Sequence, residues 1–341
     1  MIKRWRYYQS MIRLSLVLTI SILFLLVIAP SFLTPFYVRV LLLFFLFAGL
    51  ATSWNILGGF AGYWSFGHTV FIGVASFMAG KLLPLILINQ HKLLSLLLCL
   101  IIGSVASALL ALLLAYPMLR VRGIYFAIAM LGVSELVTEL TSNIPAIDGA
   151  LGVVIPTLTP HGIDPVVFFY YLLLTVAAMT LGVAAWIKSS RFGYGLASIR
   201  EDEDTAKMLG VPTERYKIIA LVISGGLVGL LGVIYGFSLG FFTTYSVFRM
   251  DFSLNMILHC LIGGIGTLVG PLLGAGIMVF LTQVILGRLL DIHLLITGLL
   301  IIAIVLLAPS GIVGTLKAWN EKRYARGKEE TDQEHHTGLH L

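Results

Sequence analysis

Apolar residues run along this chain in blocks of about fifteen to twenty-five, separated by short polar or glycine-rich breaks. Blocks near 14–34, 37–57, 63–80, 93–117 and 123–141 are followed by others near 165–187, 217–241, 252–266, 268–287 and 292–308. At 1.5 Å per residue, about twenty such residues cross the ~30 Å of a bilayer's hydrocarbon. The pattern therefore predicts an all-α, polytopic integral membrane protein with about ten transmembrane helices. Two blocks also suit a broken or re-entrant element: 63–80 is rich in glycine and serine, and 252–266 is short.

Composition agrees. With 59% hydrophobic and 11% charged residues, no stretch of ordinary composition is left for a large water-soluble domain. The net charge of +6 does not point to nucleic acid, because the basic residues flank the spans. Lys3, Arg4, Arg6 and Arg13 lead the chain, and Lys317, Lys322, Arg323, Arg326 and Lys328 follow the last apolar block. Under the positive-inside rule both termini are then cytoplasmic. The same parity puts Arg120, Arg122 and the 188–216 loop inside, and the 142–164 loop, which has no Lys or Arg, outside. The organisation expected is a cytoplasmic segment 1–13, a membrane domain 14–316, and a polar, disordered tail 317–341. The block 14–34 has span length and no small-x-small cleavage site after it, so a retained helix is preferred to a signal peptide. His335, His336 and His340 read as part of the solvated tail, and Cys99 and Cys260 as core filler.

The longest polar interruption carries its own helix signals. Ser198-Ile-Arg-Glu201 has the form of a capping box, Asp202, Glu203 and Asp204 crowd a first turn, and Lys207 occupies a last one. Gly210 is placed as a left-handed terminator and Pro212 forbids continuation. About eleven residues of cytoplasmic helix, roughly 16 Å long, are predicted over 199–209.

This interruption, in the form Asp204-Thr-Ala-Lys-Met-Leu-Gly210, resembles the cytoplasmic coupling loop of ABC importer permeases. Ser53-Trp-Asn55 with Gly58-Gly-Phe-Ala-Gly-Tyr-Trp-Ser-Phe-Gly-His-Thr-Val-Phe71 is similar to the early signature of the branched-chain amino acid permeases. Gly263-Gly-Ile-Gly-Thr-Leu-Val-Gly-Pro-Leu-Leu-Gly274 is similar to their late one, and Asp148-Gly-Ala-Leu-Gly152 through Pro156 resembles their external loop. The order is the family's, the coverage runs from about 50 to 310, and the closer type is LivM rather than LivH. Tyr63-Trp64 departs from the small polar residue usual after Gly62, where substrate identity is a candidate role.

The resemblance implies a permease subunit of a bacterial ABC importer in the inner membrane, with a translocation pathway for branched-chain amino acids. It further implies a sister permease, two cytoplasmic ATPases holding ATP and Mg, and an extracytoplasmic solute-binding protein. No Gly-x-x-x-x-Gly-Lys-Ser/Thr loop occurs in the chain, so nucleotide hydrolysis falls to another polypeptide, and neither cofactor nor metal is expected here. Candidate ATPase-coupling residues are Ser198, Glu201, Asp204, Ala206, Met208, Leu209 and Gly210, with Ile199, Ala206, Met208 and Leu209 as apolar contacts. Candidate pathway residues are Asn55, Gly62, Ser65, Gly67, His68, Glu135, Glu139, Gly264 and Gly266. The glycine-rich stretches suit either unwound backbone lining a pathway or tight helix packing. Glu135 and Glu139, one helical turn apart in a span, suit a pathway, an ammonium partner or a structural hydrogen bond. His68 and His259 have no ligand-spaced companions and read as structural. Urea or short amides are alternative solutes. A stand-alone secondary transporter, which has no use for a doubly capped cytoplasmic helix, and a membrane enzyme, which needs convergent His, Asp, Ser or Cys groups at a catalytic spacing not found in the chain, are the readings from other classes.

Overall fold

The computed structural model describes residues 21, 24–86, 92–145, 151–156, 158–160, 162–285, 298, 311–315 and 319. Residues 14–20, 22 and 23 of the predicted block 14–34, nearly all of the block 292–308, the segment 1–13 and nearly all of 317–341, with its three histidines, lie outside the described residues.

The helices described from end to end are, in chain order, α1 (Pro35–Leu57), α2 (Thr69–Ile86), α3 (Lys92–Met118), α4 (Ile124–Asn143), α5 (Pro165–Ser189), α6 (Arg191–Glu201), α7 (Glu203–Met208), α8 (Thr213–Leu239), α9 (Thr244–Val247), α10 (Met250–Gly263) and α11 (Gly270–Phe280), and further helical residues lie at 24–32 and 311–315. Six of these, α1 to α5 and α8, are long and apolar enough to cross a membrane. A proline in the first turn starts α1 and α5, where a missing N–H costs nothing, and the Asp164 carboxylate accepts from the Val166 N–H at 2.7 Å to cap α5.

Helix α8 is the axis of the bundle and packs against α1, α2, α3 and α5. Its Gly225, Gly229, Gly232 and Gly236 form a seam of small residues along that contact. A Cβ on Gly232 would stand 2.7 Å from the Ile72 backbone, and one on Gly236 3.0 Å from Ser76. Lipid is as apolar as leucine, so close backbone approach and interhelical hydrogen bonds carry the packing. Ser76 Oγ donates to the Gly232 carbonyl at 2.9 Å, Ser104 Oγ to the Gly226 carbonyl at 2.9 Å, and Ser107 Oγ to the Phe71 carbonyl at 2.7 Å. Cys99 and Cys260 are buried in this core.

The far end of α8 stops at Gly240, and Phe241–Phe242 pair antiparallel with Val153–Val154 of the loop between α4 and α5. This two-residue ribbon is the only strand pairing among the described residues. It lies one α8 length, about 40 Å, from the end that carries α6 and α7.

Three departures from the sequence pattern have physical causes. The block 63–80 starts its helix only at Thr69 and extends it to Ile86, leaving 58–68 as turns and irregular chain that is mostly buried, with Gly62 and Trp64 exposed. The blocks 252–266 and 268–287 become the fourteen-residue α10 and the eleven-residue α11, the latter passing into a π-helical turn at Leu281–Ile285. The predicted single helix over 199–209 is two helices. Asp202, extended at φ −159°, breaks the run and caps α7 by accepting from the Thr205 N–H at 2.6 Å. Ser198 lies inside α6 and donates to the Tyr194 carbonyl at 3.1 Å, so Ser198 and Glu201 form no capping box; Ser190 caps α6 instead. A carboxylate on a short stem competes better for orphan N–H groups than a hydroxyl already bonded one turn back.

Replacing Gly232 by Val forces a branched side chain into the Ile72 backbone. We expect loss of about 1–3 kcal/mol or more of stability, read as a lowered melting temperature of the detergent-solubilised protein. Gly182→Val, on a residue with open space around its Cβ position, should be close to neutral.

Candidate coupling and pathway site

Irregular backbone at membrane depth is tolerated only where protein covers it and satisfies its polar groups. The chain satisfies this for its two glycine-rich breaks by bringing them together. Asn55, buried in the last turn of α1, donates from Nδ2 to the Thr267 carbonyl at 2.8 Å, and its Oδ1 accepts from the Gly266 N–H at 2.9 Å. Gly266 is held at φ +76° and Gly264 at +125°, conformations that side-chain-bearing residues rarely adopt. The Trp54 indole N–H donates to the Ser65 carbonyl at 2.8 Å.

The coupling segment, α6 and α7, is fastened to the early break, and the end of α5 to the late one. From α6, Arg200 Nη1 donates to the Gly59 carbonyl at 2.8 Å, and its stem covers Gly62. Lys188, at the end of α5, donates to the Gly266 carbonyl at 2.9 Å. From α7, Glu203 enters a buried cluster. Its Oε1 pairs with Lys217 Nζ at 2.7 Å, and its Oε2 accepts from the Tyr63 hydroxyl. Lys217, 2% exposed in the first turns of α8, completes its three donors with the Tyr63 oxygen at 2.9 Å and the Leu119 carbonyl at 3.2 Å. Arg122, in the turn between α3 and α4, adds a charge 3.6 Å from Glu203 and bonds Asp204 at 2.9 and 3.0 Å. Burial pushes the Glu203 carboxyl up, but hydrogen bonds from Lys217 and Tyr63 and the charges of Lys217 and Arg122 outweigh it. The carboxyl lies below its ordinary range.

The outer side of the segment is different. Met208 and Leu209 are 87% and 78% exposed, side by side at the end of α7, where Gly210 turns the chain back at φ +85°. Ile199 and Ala206 are buried against the rest of the chain and are not available to a docking partner, a correction to the four apolar contacts expected. Asp204 faces Arg122, and Glu201 is exposed.

The candidate pathway residues divide into three groups. Asn55, Gly62, Gly264 and Gly266 belong to the junction just described. Gly67 packs on the Met130 carbonyl of α4, and Ser65 is buried with its hydroxyl unpartnered among the described residues. His68 sits beside Ser224 of α8 at 2.8 Å, and Ser224 spends its own proton on the Ser53 carbonyl at 2.7 Å. The histidine therefore donates from Nε2, a tie between the early break, α1 and α8. Glu135 and Glu139 stand apart on the exposed face of α4, and the structure brings neither to the junction. Sequence reasoning missed Tyr63, Lys217, Arg200 and Lys188. Lys217 reads as an ordinary flanking charge, and its signal was only that it heads a block that is otherwise uncharged.

Comparison with known proteins bears on this arrangement. Residues 36–305 match the family described as the branched-chain amino acid transport system permease component. The chain belongs to this family. It is 25% identical over 291 residues to the high-affinity branched-chain amino acid transport system permease protein LivM of Escherichia coli, covering 77% of this chain and 67% of that protein. The probable branched-chain amino acid transport permease protein LivM of Methanocaldococcus jannaschii is 26% identical over 201 residues, 58% of this chain and 57% of that protein. A shorter match, 31% over 107 residues and 29% of each chain, is to the autoinducer 2 import system permease protein LsrC of Salmonella typhimurium. No solved structure matches. Family membership makes the chain a multi-pass, LivM-type transport subunit of a system with further components.

Removing one partner of the Glu203–Lys217 pair strands a buried charge. We expect Lys217→Met or Glu203→Leu alone to cost about 3–5 kcal/mol, and the double variant to recover most of it, measured by thermal unfolding in detergent. Because the Glu203 pKa is lowered on folding, its contribution is fully present above the ordinary carboxylate range and is lost as pH falls through the lowered value. Stability should therefore respond to Glu203→Gln at neutral pH and become insensitive to it in strong acid.

Proposed function

We propose that this chain is the membrane-spanning permease subunit of a bacterial ABC importer for branched-chain amino acids. Separate ATPase subunits, carrying ATP and Mg, would grip the coupling segment from the cytoplasm. The observation that carries this reading is the two-sided character of that segment. Its outer end offers exposed Met208 and Leu209, and its inner side is tied through Glu203 and Arg200 to α8 and the early unwound stretch. A push on α7 would move Lys217 and Tyr63 with it, because separating Glu203 from Lys217 strands two largely buried charges. Alternating access would follow from displacement of α8 and the breaks it contacts.

In this reading both termini and the coupling segment face the cytoplasm of a cell whose inner membrane holds the protein. A sister permease and a solute-binding protein would complete the assembly, with two ATPases below. Glu135 and Glu139 would line the pathway from the exposed face of α4, since carboxylates in a span are costly unless they meet protein or water. The partial match to an autoinducer 2 permease favours a second reading in which the same machinery moves another small solute.

Co-purification from native membranes tests the docking. Wild type should bring down an ATPase, and Met208→Asp/Leu209→Asp should lose it while keeping its melting temperature. Loss of leucine, isoleucine and valine uptake in the variant, with unchanged membrane insertion, would support the amino acid reading. A wild-type chain that recovers no ATPase and still transports when reconstituted alone would make it a secondary transporter.

A further inference from the structure

Beside the coupling segment, the lower end of α3, the α3–α4 turn, α7 and the first turns of α8 enclose a cavity of about 320 Å³. Four cations line it, Arg120, Arg122, Lys207 and Lys217, against two carboxylates, Glu203 and Glu214. Lys217 and Arg122 are committed to Glu203 and Asp204. Arg120 and Lys207 have no ion-pair partner among the described residues; Arg120 is held with its guanidinium carbon 4.0 Å from the centre of the Tyr116 ring. The cavity thus presents two uncommitted cations, one of them a planar donor suited to two oxygens of a phosphate.

The wall above the cavity is apolar and open. Leu97, Ile101, Val105, Leu109, Leu112 and Tyr116 recur every three or four residues along α3, and all are exposed. They form one stripe that runs the length of the span and ends one turn before Arg120. A free anion would use only the basic cavity. An amphiphile with a phosphate head and long acyl chains would use both.

We propose that this cavity and stripe bind an anionic phospholipid, with its phosphate between Arg120 and Lys207 and its chains along α3. Basic pockets between transmembrane helices at the membrane boundary suit such headgroups, and here the pocket shares a wall with α7. The bound lipid would touch Lys207, one residue from Met208, and so load the coupling segment from its membrane side. Nothing in this proposal depends on the solute or on the presence of an ATPase.

The test is native mass spectrometry of the subunit, purified with its partners and delipidated in mild detergent. Phosphatidylglycerol, phosphatidylcholine with the same chains, and inorganic phosphate are then added back separately. The expected result is one phosphatidylglycerol retained per chain, no comparable retention of phosphatidylcholine, and no displacement by millimolar phosphate. Arg120→Gln/Lys207→Gln should weaken retention at least tenfold, whereas Arg120→Lys/Lys207→Arg should keep it, which separates loss of charge from loss of fold. Equal retention of both lipids, or of phosphatidylglycerol by wild type and the glutamine variant, overturns the site. Charge-dependent binding of inorganic phosphate without a preference for the lipid overturns the assignment to a phospholipid.

Discussion

The buried ammonium of Lys217 is the constraint on which the coupling end of this protein depends. A lysine 2% exposed at the head of a membrane span is unstable unless each of its donors is met. Meeting them draws in Glu203 from the coupling segment, Tyr63 from the early glycine-rich break and the Leu119 carbonyl from the end of α3. Three segments far apart in the chain are thereby fixed to one point on α8. Arg200 and Lys188 repeat the logic with neutral carbonyls, pinning the segment to Gly59 and the end of α5 to Gly266. The result is a lever whose inner side is bonded and whose outer end is bare.

Along α8 the balance of forces changes. At the coupling end the ties are ionic and directional, and farther along they are glycine seams and serine hydroxyls. A seam that relies on backbone contact tolerates small sliding poorly, because Gly232 stands against the Ile72 backbone. In the proposed mechanism, motion imposed at Lys217 would be carried by α8 as a rigid element and not absorbed locally. His68, held by Ser224, links the early break to α8, and Ser224 in turn bonds α1 at Ser53.

Local rules read some elements correctly and failed at others for identifiable reasons. Gly210 was legible as a left-handed terminator because no other residue adopts that φ at so little cost. Ser198 was misread: its spacing to Glu201 satisfies a capping box, but in the fold its hydroxyl is already bonded to Tyr194. Asp202, treated as one acid among three in a first turn, turned out to be the break itself. Tyr63 reads in the sequence as a departure at a candidate substrate-setting position, and in the fold its hydroxyl bonds Glu203 and Lys217. Ile199 and Ala206 have the composition of docking residues, yet burial is a property of neighbours that spacing does not reveal.

By itself the sequence determined the class of molecule. Runs of apolar residues leave no alternative to membrane helices, since an unpaired peptide group in lipid costs several kcal/mol. The glycine-rich motifs and the polar interruption likewise determined the family. The tertiary structure alone decided which charges are buried together, that 63–80 begins as buried irregular chain, and that Glu135 and Glu139 face away from the junction. Those outcomes depend on pairs more than a hundred residues apart, such as Tyr63 with Glu203 and Asn55 with Thr267. Periodicity reports the environment of a residue along its own helix, while the partner that makes a buried charge tolerable is supplied by another one.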